Sequence, residues 1–367
     1  MTEGSNQTYQ VLARKYRPST FEDMIGQEAM VTTLQNAFEA GRVAHAFMLT
    51  GVRGIGKTTT ARLLARALNY ESDSEAGPSV NLGERGKHCE LIMSSTHMDV
   101  LEMDAASRTG VENMREMLDG VRYAPATARY KVYIIDEVHM LSAGAFNALL
   151  KTLEEPPDHA KFIFATTEIR KVPITVLSRC QRFDLRRVEA GALQAHLSGI
   201  CEKEGVKVSP DGLALIARAA EGSVRDSLSL LDQAIVQSGL GGEQVTGEQV
   251  RDMLGLADRV RILDLFALAA TGDGKGALTE MRSQYDDGAD PAIVMRDMLD
   301  ICHEISRAKT LGEGAEFDAA PDQITRLKDL AEALSLGQLT RIWQMLLKAH
   351  SEVPLRLRLW RPLKWRY

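Results

Sequence analysis

The sequence is poor in the features that mark small secreted proteins and membrane proteins. Only four cysteines occur among 367 residues, and the aromatic share is 5%. The cysteines lie far apart, which is typical of reduced thiols rather than of a disulfide framework and predicts a cytoplasmic location. No uncharged apolar run reaches the roughly eighteen residues of a membrane span, and the polar N-terminal residues lack the apolar core of a signal peptide. The sequence therefore predicts no contact with a membrane.

An excess of positive charge is missing as well. The formal net charge is −6 at pH 7, which argues against a protein that coats nucleic acid in general. A local basic surface inside an assembly remains compatible with this charge. The length allows two or three domains that each have a core.

The most informative segment that is present is a glycine-rich loop. Its pattern is two glycines that bracket four residues and are followed by Lys-Thr, in Gly51-Val52-Arg53-Gly54-Ile55-Gly56-Lys57-Thr58, which Thr59 continues. Glycines let consecutive backbone N–H groups curl around a triphosphate. Lys57 can reach the β- and γ-phosphates, and the Thr58 hydroxyl can take a place on Mg²⁺. A strand pattern before the loop and a helix pattern after it put the phosphates at a helix N-terminus.

Short apolar runs alternate with helical patterns through the first half of the chain. The predicted strands are Ala46–Thr50, Val100–Asp104, Lys131–Asp136, Lys161–Thr166 and Gln181–Leu185. Continuous Ile, Val and Phe runs separated by helices indicate a parallel sheet that is covered on both faces. We therefore predict an α/β nucleotide-binding domain over residues 1–187.

Beyond the α/β region the strand pattern stops and helices follow. Residues 188–255 are predicted to form a small helical domain from Glu189–Glu204, Asp211–Ala220, Ser223–Ser238 and Thr246–Leu254. Residues 256–367 are predicted to form a second helical domain from Arg259–Ala270, Gly276–Tyr285, Pro291–Ala308, Asp322–Ala333 and Leu336–His350.

Two carboxylates and a threonine follow predicted strands beside the loop. Asp136 ends its strand and can hold the water shell of Mg²⁺, while Glu137 can orient and activate the attacking water. Thr167 follows the next strand and could position water or report the nucleotide state, and the alternative is an ordinary strand end. His139, three residues after Asp136, is interpreted as a packing or helix-start residue.

Two arginines are further candidates whose spacing leaves alternatives open. Arg179 is not placed to reach the phosphates of its own chain and could act on a neighbour's site, as an arginine finger does; the alternative is a surface salt bridge. Arg225 begins a helix that Ser223 could cap and could swing to the γ-phosphate, and the alternative is a purely structural role.

Taken together in this order, these elements resemble the AAA+ ATPases, and more narrowly the clamp-loader gamma/tau subunits of bacterial DNA polymerase III. The resemblance covers nearly the whole chain, and the long runs that carry it are more specific than the loop. These runs are Leu12–Pro18, Ile25–Gln27, His45–Phe47, Asp104–Arg108 and Phe146–Pro157.

The resemblance implies roles and partners that the residues alone do not establish. It implies that Thr167 is sensor 1, Arg225 is sensor 2 and Arg179 is the trans-acting finger. It also implies that the adenine of ATP is framed by Tyr16, Arg17, Ile25 and Gly26. The expected architecture is an AAA+ α/β domain, a helical lid and a helical collar for oligomerisation. The expected partners are the delta and delta-prime subunits, further copies of the chain, the sliding clamp and primed template DNA.

Contact with DNA is implied by the resemblance and not by composition. Clamp loaders hold duplex phosphates with helix N-termini and basic side chains. The candidates here are Ser107, Arg108 and Thr109, which stand at a predicted helix start. The alternative is a structural loop at the sheet edge.

Two departures from the resembling family are visible. The family places a four-cysteine zinc knuckle between the first helix and the second strand, whereas here only Cys89 remains and the other ligand positions fall at Tyr70, Gly83 and Gly86. A lone thiol does not make a tetrahedral site, so we predict no zinc and a mobile surface insertion over residues 71–87.

The second departure is the basic segment 354–367, which has no acidic residue and contains two of the three tryptophans. One hypothesis is that a change of reading frame produced it, which sequencing of the coding DNA would test. The alternative is a basic amphipathic segment that binds a partner.

We therefore predict the ATPase motor subunit of a bacterial clamp loader. Two other classes compete with this interpretation. A different AAA+ motor, such as a branch-migration helicase, would share the loop and sensors. A catalytically inactive scaffold subunit tends to lose the loop lysine or the acidic pair, yet Lys57, Asp136 and Glu137 are all present.

Overall fold

The chain forms two compact units, residues 1–244 and 245–367. The computed structural model describes residues 10–73, 77–107, 110–237, 244–254, 259–312 and 321–360. The division falls about ten residues before the predicted boundary between lid and collar, so the helix Gly247–Met253 belongs to the second unit. Periodicity shows that a helix has an apolar face, but it does not show which core receives that face.

One parallel sheet lies at the centre of the first unit. Within the described residues it has five strands in the order β2-β3-β4-β1-β5. The strands are β1 (Ala46–Thr50), β2 (Val100–Asp104), β3 (Lys131–Asp136), β4 (Ala160–Thr166) and β5 (Gln181–Asp184). The prediction of a parallel sheet is confirmed, and the carboxyl ends of β1, β3 and β4 meet at one edge of the sheet.

Helices cover both faces of this sheet. Those of the α/β part are α1 (Leu12–Lys15), α2 (Glu28–Glu39), α3 (Lys57–Leu68), α4 (Cys89–Met93), α5 (Val111–Asp119), α6 (Ala143–Glu154) and α7 (Ile174–Leu177). The lid part consists of α8 (Ala190–Glu204), α9 (Pro210–Ala219) and α10 (Val224–Gln237).

Alternating residues of the strands supply two hydrophobic cores. Phe47 and Leu49 of β1 pack on one face with α3, whereas Met48 packs on the other face with α6. Strands β1 and β4 are buried along their whole length. Burial on both faces is the reason that these strands are continuous apolar runs rather than alternating ones.

Helices alone form the described part of the second unit. They are α11 (Gly247–Met253), α12 (Arg259–Thr271), α13 (Gly274–Asp286), α14 (Pro291–Leu311), α15 (Pro321–Ala333) and α16 (Leu336–Trp360). Phe266, Met298, Ile305 and Leu327 lie in their shared core. Helix α16 continues ten residues beyond the predicted end at His350, into the basic segment, and residues 361–367 lie outside the described part.

None of the helices in the described residues is both long enough and apolar enough to span a bilayer.

Candidate active site

The glycine-rich loop connects β1 to α3 as the sequence predicts. Gly54 and Gly56 have φ angles of +77° and +103°, which residues with a Cβ adopt only with strain. Lys57 is buried, and its Nζ donates hydrogen bonds to the carbonyl oxygens of Gly51 at 2.9 Å and Val52 at 3.0 Å. Burial lowers the pKa of Lys57, and the carboxylates of Glu137 and Asp136 oppose that shift.

A cavity of about 520 Å³ opens over this loop. Its volume lies in the range of small-molecule sites, which is roughly 300–1,000 Å³. The residues that line it, within the described part of the chain, come from the loop, the acidic pair, the N-terminal segment and the lid. The predicted site residues among them are Tyr16, Arg17, Ile25, Arg53, Gly54, Ile55, Gly56, Lys57, Thr58, Thr59, Asp136, Glu137 and Arg225.

The acidic pair lies at the carboxyl end of β3, opposite the start of α3. Asp136 Oδ2 accepts a hydrogen bond of 2.5 Å from Thr58 Oγ1, and its Oδ1 accepts one of 2.9 Å from the Glu137 N–H. A hydroxyl and a carboxylate that meet in this way are oxygen ligands of the kind that Mg²⁺ prefers. The residues present therefore fit the predicted ion.

Glu137 has an unusual backbone conformation, and its carboxylate is held by the residue that follows the neighbouring strand. Its φ angle is +46°, in the left-handed region that non-glycine residues seldom adopt. Its Oε2 accepts hydrogen bonds from the N–H of Thr167 at 3.1 Å and from Oγ1 of Thr167 at 2.9 Å. Thr167 thus contacts the carboxylate directly, although it does not line the cavity.

The lid reaches the loop through the start of α10. The Arg225 N–H donates to the Gly54 carbonyl at 3.3 Å, and Ser223 Oγ accepts from the Asp226 N–H at 3.2 Å, which caps the helix. A Cβ at Gly54 would lie 2.0 Å from Ser223 Oγ. Only glycine allows this approach, so the loop and the lid meet at Gly54.

The N-terminal segment forms a further part of the cavity wall. The Tyr16 hydroxyl donates to Glu204 Oε1 at 2.5 Å, and burial together with this carboxylate raises the pKa of Tyr16 to about 12. Burial and the charge of Arg62 lower the pKa of Arg17. Gly26 turns the chain with a φ angle of +71°, between two cavity-lining residues, and does not line the cavity itself.

Arg179 lies outside the cavity, on the protein surface. Its Nη2 is 2.8 Å from Glu154 Oε1, and its Nη1 donates to the Thr175 carbonyl at 2.6 Å. The side chain is 32% exposed. Arg179 therefore forms a surface salt bridge, which is the alternative that its spacing in the sequence left open. The structure does not bring Arg179 to the site of its own chain.

The DNA-contact candidates are only partly described. Ser107 is exposed, and its N–H and hydroxyl both bond to the Asp104 carbonyl at the end of β2. Arg108 and Thr109 lie outside the described residues.

The region of the expected insertion is organised by a buried arginine. Arg66 Nε donates to Cys89 Sγ at 2.7 Å, and Arg66 Nη2 donates to the Leu82 carbonyl at 2.8 Å. Leu82 is buried, so residues 71–87 are not wholly at the surface, because Arg66 and the core draw part of them inward. Among the described residues, no three potential ligands lie close enough to hold a metal ion.

Several residues of the site escaped the sequence prediction. The Gln27 side chain makes two hydrogen bonds to the backbone of Arg186. Gln27 Nε2 donates to the Arg186 carbonyl at 2.9 Å, and Gln27 Oε1 accepts from the Arg186 N–H at 3.2 Å. His196 on α8 lines the cavity. The His139 ring contacts both Glu137 and Thr166. Only His139 had a visible signal, its position beside the acidic pair.

Matches to known families follow the order of the structural parts. Residues 26–189 match the family described as DNA polymerase III, delta subunit, and residues 192–240 match the DNA polymerase III clamp loader subunit, ATPase lid domain. Residues 245–356 match domain III of DNA polymerase III subunits gamma and tau. The last match begins where the second compact unit begins.

Curated relatives are similar along almost the whole chain. The tau subunit of Escherichia coli (strain K12) is 42% identical over 347 residues, which cover 95% of this chain and 53% of that protein. The gamma subunit of Buchnera aphidicola subsp. Acyrthosiphon pisum is 39% identical over 345 residues, 94% of both chains. The chain thus spans about half the length of the tau relative and nearly all of the gamma relative.

Solved structures show the same fold. The RuvB Holliday junction branch migration motor of Thermotoga maritima superposes with a TM-score of 0.50 at 19% identity, over 69% of this chain and 78% of that one. This likeness concerns the fold alone. The sequence relatives are decisive because they are more similar and span both units, and the chain belongs to the gamma/tau subunit family of DNA polymerase III.

Proposed function

We propose that the chain is the ATP-hydrolysing motor subunit of a bacterial DNA polymerase III clamp loader, which opens the sliding clamp and loads it onto primed template DNA. One observation carries this proposal. Lys57, Thr58, Asp136, Glu137 and Arg225 converge on a single cavity, whereas Arg179 stands at the surface in a salt bridge. The site has the parts for binding and activating ATP, and Arg179, which does not line it, would be supplied by a neighbour.

Each side chain has a role that follows from its position. The backbone N–H groups of the loop and the Lys57 ammonium bind the phosphates. Thr58 and Asp136 would hold Mg²⁺, which neutralises phosphate charge when it is bound. Glu137 accepts the proton of the attacking water, while Thr167 orients its carboxylate. Arg225, at the start of the lid helix, would contact the γ-phosphate.

The nucleoside end of ATP is assigned to the N-terminal segment. Tyr16, Arg17 and Ile25 line the cavity on that side, and the turn at Gly26 places them. The Tyr16 hydroxyl is already bonded to Glu204, so its ring rather than its hydroxyl is the surface that would face the base.

The assembly follows from the placement of Arg179. If Arg179 of one subunit completes the site of the next, neighbouring copies and the delta and delta-prime subunits must pack side by side. Primed DNA would then align these shared sites, with Ser107, Arg108 and Thr109 as candidate contacts to its phosphates. A role in bacterial replication places the protein in the cytoplasm.

Reconstitution with the partner subunits, the sliding clamp and primed DNA tests this proposal. We expect Lys57→Ala to lose nucleotide binding, since the buried ammonium is the main cation of the loop. We expect Arg179→Ala to bind nucleotide normally but to lower kcat by roughly 10³-fold or more in the assembled complex, as arginine fingers do. The exposed Arg42 provides a control, because Arg42→Ala removes a charge remote from the site.

Two results would contradict the proposal. Unchanged hydrolysis by Arg179→Ala in the complex would mean that sites are not shared. Hydrolysis that does not respond to the clamp and to a recessed primer end would indicate a different AAA+ motor.

A further inference from the structure

His139 is a buried histidine beside the catalytic carboxylate that the proposed mechanism leaves without a role. It lies in the short turn Val138–Met140 after β3, and only 5% of its side chain is exposed. Its Nδ1 is 3.0 Å from Thr166 Oγ1 and 3.4 Å from Glu137 Oε2. Its Nε2 is 3.4 Å from Glu168 Oε1. The ring therefore lies between the residues that follow β3 and those that end β4.

The closest polar partner of this ring is the Thr166 hydroxyl. Thr166 Oγ1 accepts a bond of 3.0 Å from the Glu168 N–H, and Thr166 is fully buried. The same oxygen lies 3.0 Å from His139 Nδ1, where the donor depends on the tautomer of the ring. The ring and the Glu168 N–H therefore hold the Thr166 hydroxyl between them.

Thr166 connects the histidine to the base through the chain. Thr167 is the next residue, and its N–H and its hydroxyl hold the same oxygen of Glu137. The Thr166 hydroxyl that the His139 ring contacts also accepts from the Glu168 N–H, so these two contacts bracket Thr167 in the chain. Without the ring, this fully buried hydroxyl keeps the bond from the Glu168 N–H but loses its contact with Nδ1, so the Thr166 side chain is held less firmly.

We propose that His139 is a positioning residue for Glu137, which acts by holding Thr166 so that Thr167 keeps the carboxylate in place. The inference rests on the proposed function, in which Glu137 activates water. The proposal gives the two nitrogens of the ring different roles. The Nδ1 contact to buried Thr166 carries the effect, whereas the Nε2 contact to Glu168, whose side chain is 49% exposed, contributes little.

Three substitutions at this position test the inference in the assembled complex. His139→Asn places an amide atom near the position of Nδ1, His139→Gln places one near that of Nε2, and His139→Leu removes both. We expect His139→Leu and His139→Gln to lower kcat by roughly tenfold to a hundredfold, because displacement of a catalytic group by about 1 Å has effects of this size. We expect His139→Asn to recover most of kcat and all three variants to bind ATP within about twofold of wild type.

The outcomes distinguish a failed inference from a failed function. Equal loss in all three variants, or equal recovery by Gln and Asn, overturns the positioning role. A lowered melting temperature with kcat within twofold of wild type also overturns it and assigns His139 to packing. If the wild-type complex does not hydrolyse ATP at all, the proposed function has failed. This result is visible in the wild type alone, before any variant is compared.

Discussion

At the scale of single residues, the charged groups of the site are each held by a small number of short contacts. Lys57 is tied to two loop carbonyls, Asp136 to Thr58 and to the next N–H, and Glu137 to Thr167. Pre-formed contacts of this kind reduce the reorganisation that is needed when substrate binds. The contacts that hold the proposed phosphate-binding residues are separate from those that hold Glu137, the proposed base.

Replacement of Glu137 by glutamine tests that separation. Glu137→Gln keeps an oxygen that can accept from Thr167, but it removes the proton acceptor. We expect ATP affinity within about threefold of wild type and kcat in the complex lowered by roughly 10²-fold or more, the usual range for general-base catalysis. Equilibrium nucleotide titration and steady-state hydrolysis measure the two quantities. Comparable losses in both would mean that Glu137 binds nucleotide rather than activates water.

Buried His97, near α4, makes stability depend on pH. His97 Nδ1 accepts from the Asp99 N–H at 3.0 Å, so its proton lies on Nε2, which is 2.9 Å from His88 Nδ1. Burial and His88 lower the pKa of His97. The folded chain therefore binds this proton less readily than the unfolded chain, and stability that is present above about pH 6.5 is lost as the pH falls.

We expect the free energy of unfolding to decrease between pH 7 and pH 5, by at most about 1.4 kcal/mol per pH unit for His97. Asp99, whose pKa is lowered to about 2 by hydrogen bonds from residues 126–128, stays charged in this range. His97→Asn keeps an acceptor for the Asp99 N–H but does not titrate, so its slope is expected to be smaller. Urea titrations at several pH values measure how the free energy of unfolding changes with pH. Equal slopes for the wild type and His97→Asn would contradict the assignment of this pH dependence to His97.

At the scale of elements, the loop and the lid depend on each other through one glycine. The start of α10 lies against the loop that leads into α3, and the Arg225 N–H bonds to the Gly54 carbonyl. A side chain at Gly54 would collide with Ser223, which caps α10. A change in the loop is therefore transmitted directly to the position of the lid helix.

Gly54→Ala is expected to weaken nucleotide binding by at least about tenfold, because it separates the lid from the loop. Gly41→Ala is the matched control. Both glycines have positive φ angles, +77° and +65°, but nothing lies within 4 Å of a Cβ at Gly41. The control should lose only about 1–2 kcal/mol of stability from backbone strain and should bind normally. Equal binding by both variants would show that the close approach to Ser223 is unimportant.

At the scale of the whole molecule, the candidate site belongs to one compact unit. Among the residues that the structure describes, all those that line the cavity lie between Val11 and Ser229, within the unit that ends at residue 244. The second unit has its own helical core. Nucleotide binding and the proposed collar function are thus assigned to separate parts of the chain.

A fragment of residues 1–244 tests that assignment. We expect it to fold and to bind ATP within about threefold of the whole chain, since the cavity is complete without the second unit. We also expect it to lose assembly with partner subunits, which size-exclusion chromatography with light scattering would detect. Retained assembly would contradict the collar role, and lost binding in a folded fragment would contradict the separation of functions.

Pattern alone was sufficient for the elements that depend on local chemistry. The strand, glycine loop and helix around Lys57 were predictable because phosphate binding requires those residue types in that order. The second-unit helices were also predictable, with ends that differ by a few residues, except that α16 continues to Trp360. The two compact units divide after residue 244, about ten residues before the end of the predicted lid domain.

The sequence by itself determined that this chain has a glycine-rich loop, an acidic pair and buried strands that alternate with helices, because each of these is a run of consecutive residues. Only the tertiary structure decided that Thr167 contacts Glu137, that the His139 ring contacts Thr166, and that Arg179 bonds to Glu154 outside the cavity. These relations join residues that are distant in the chain. Their distances are set by the packing of β3 against β4 and of the lid against the loop.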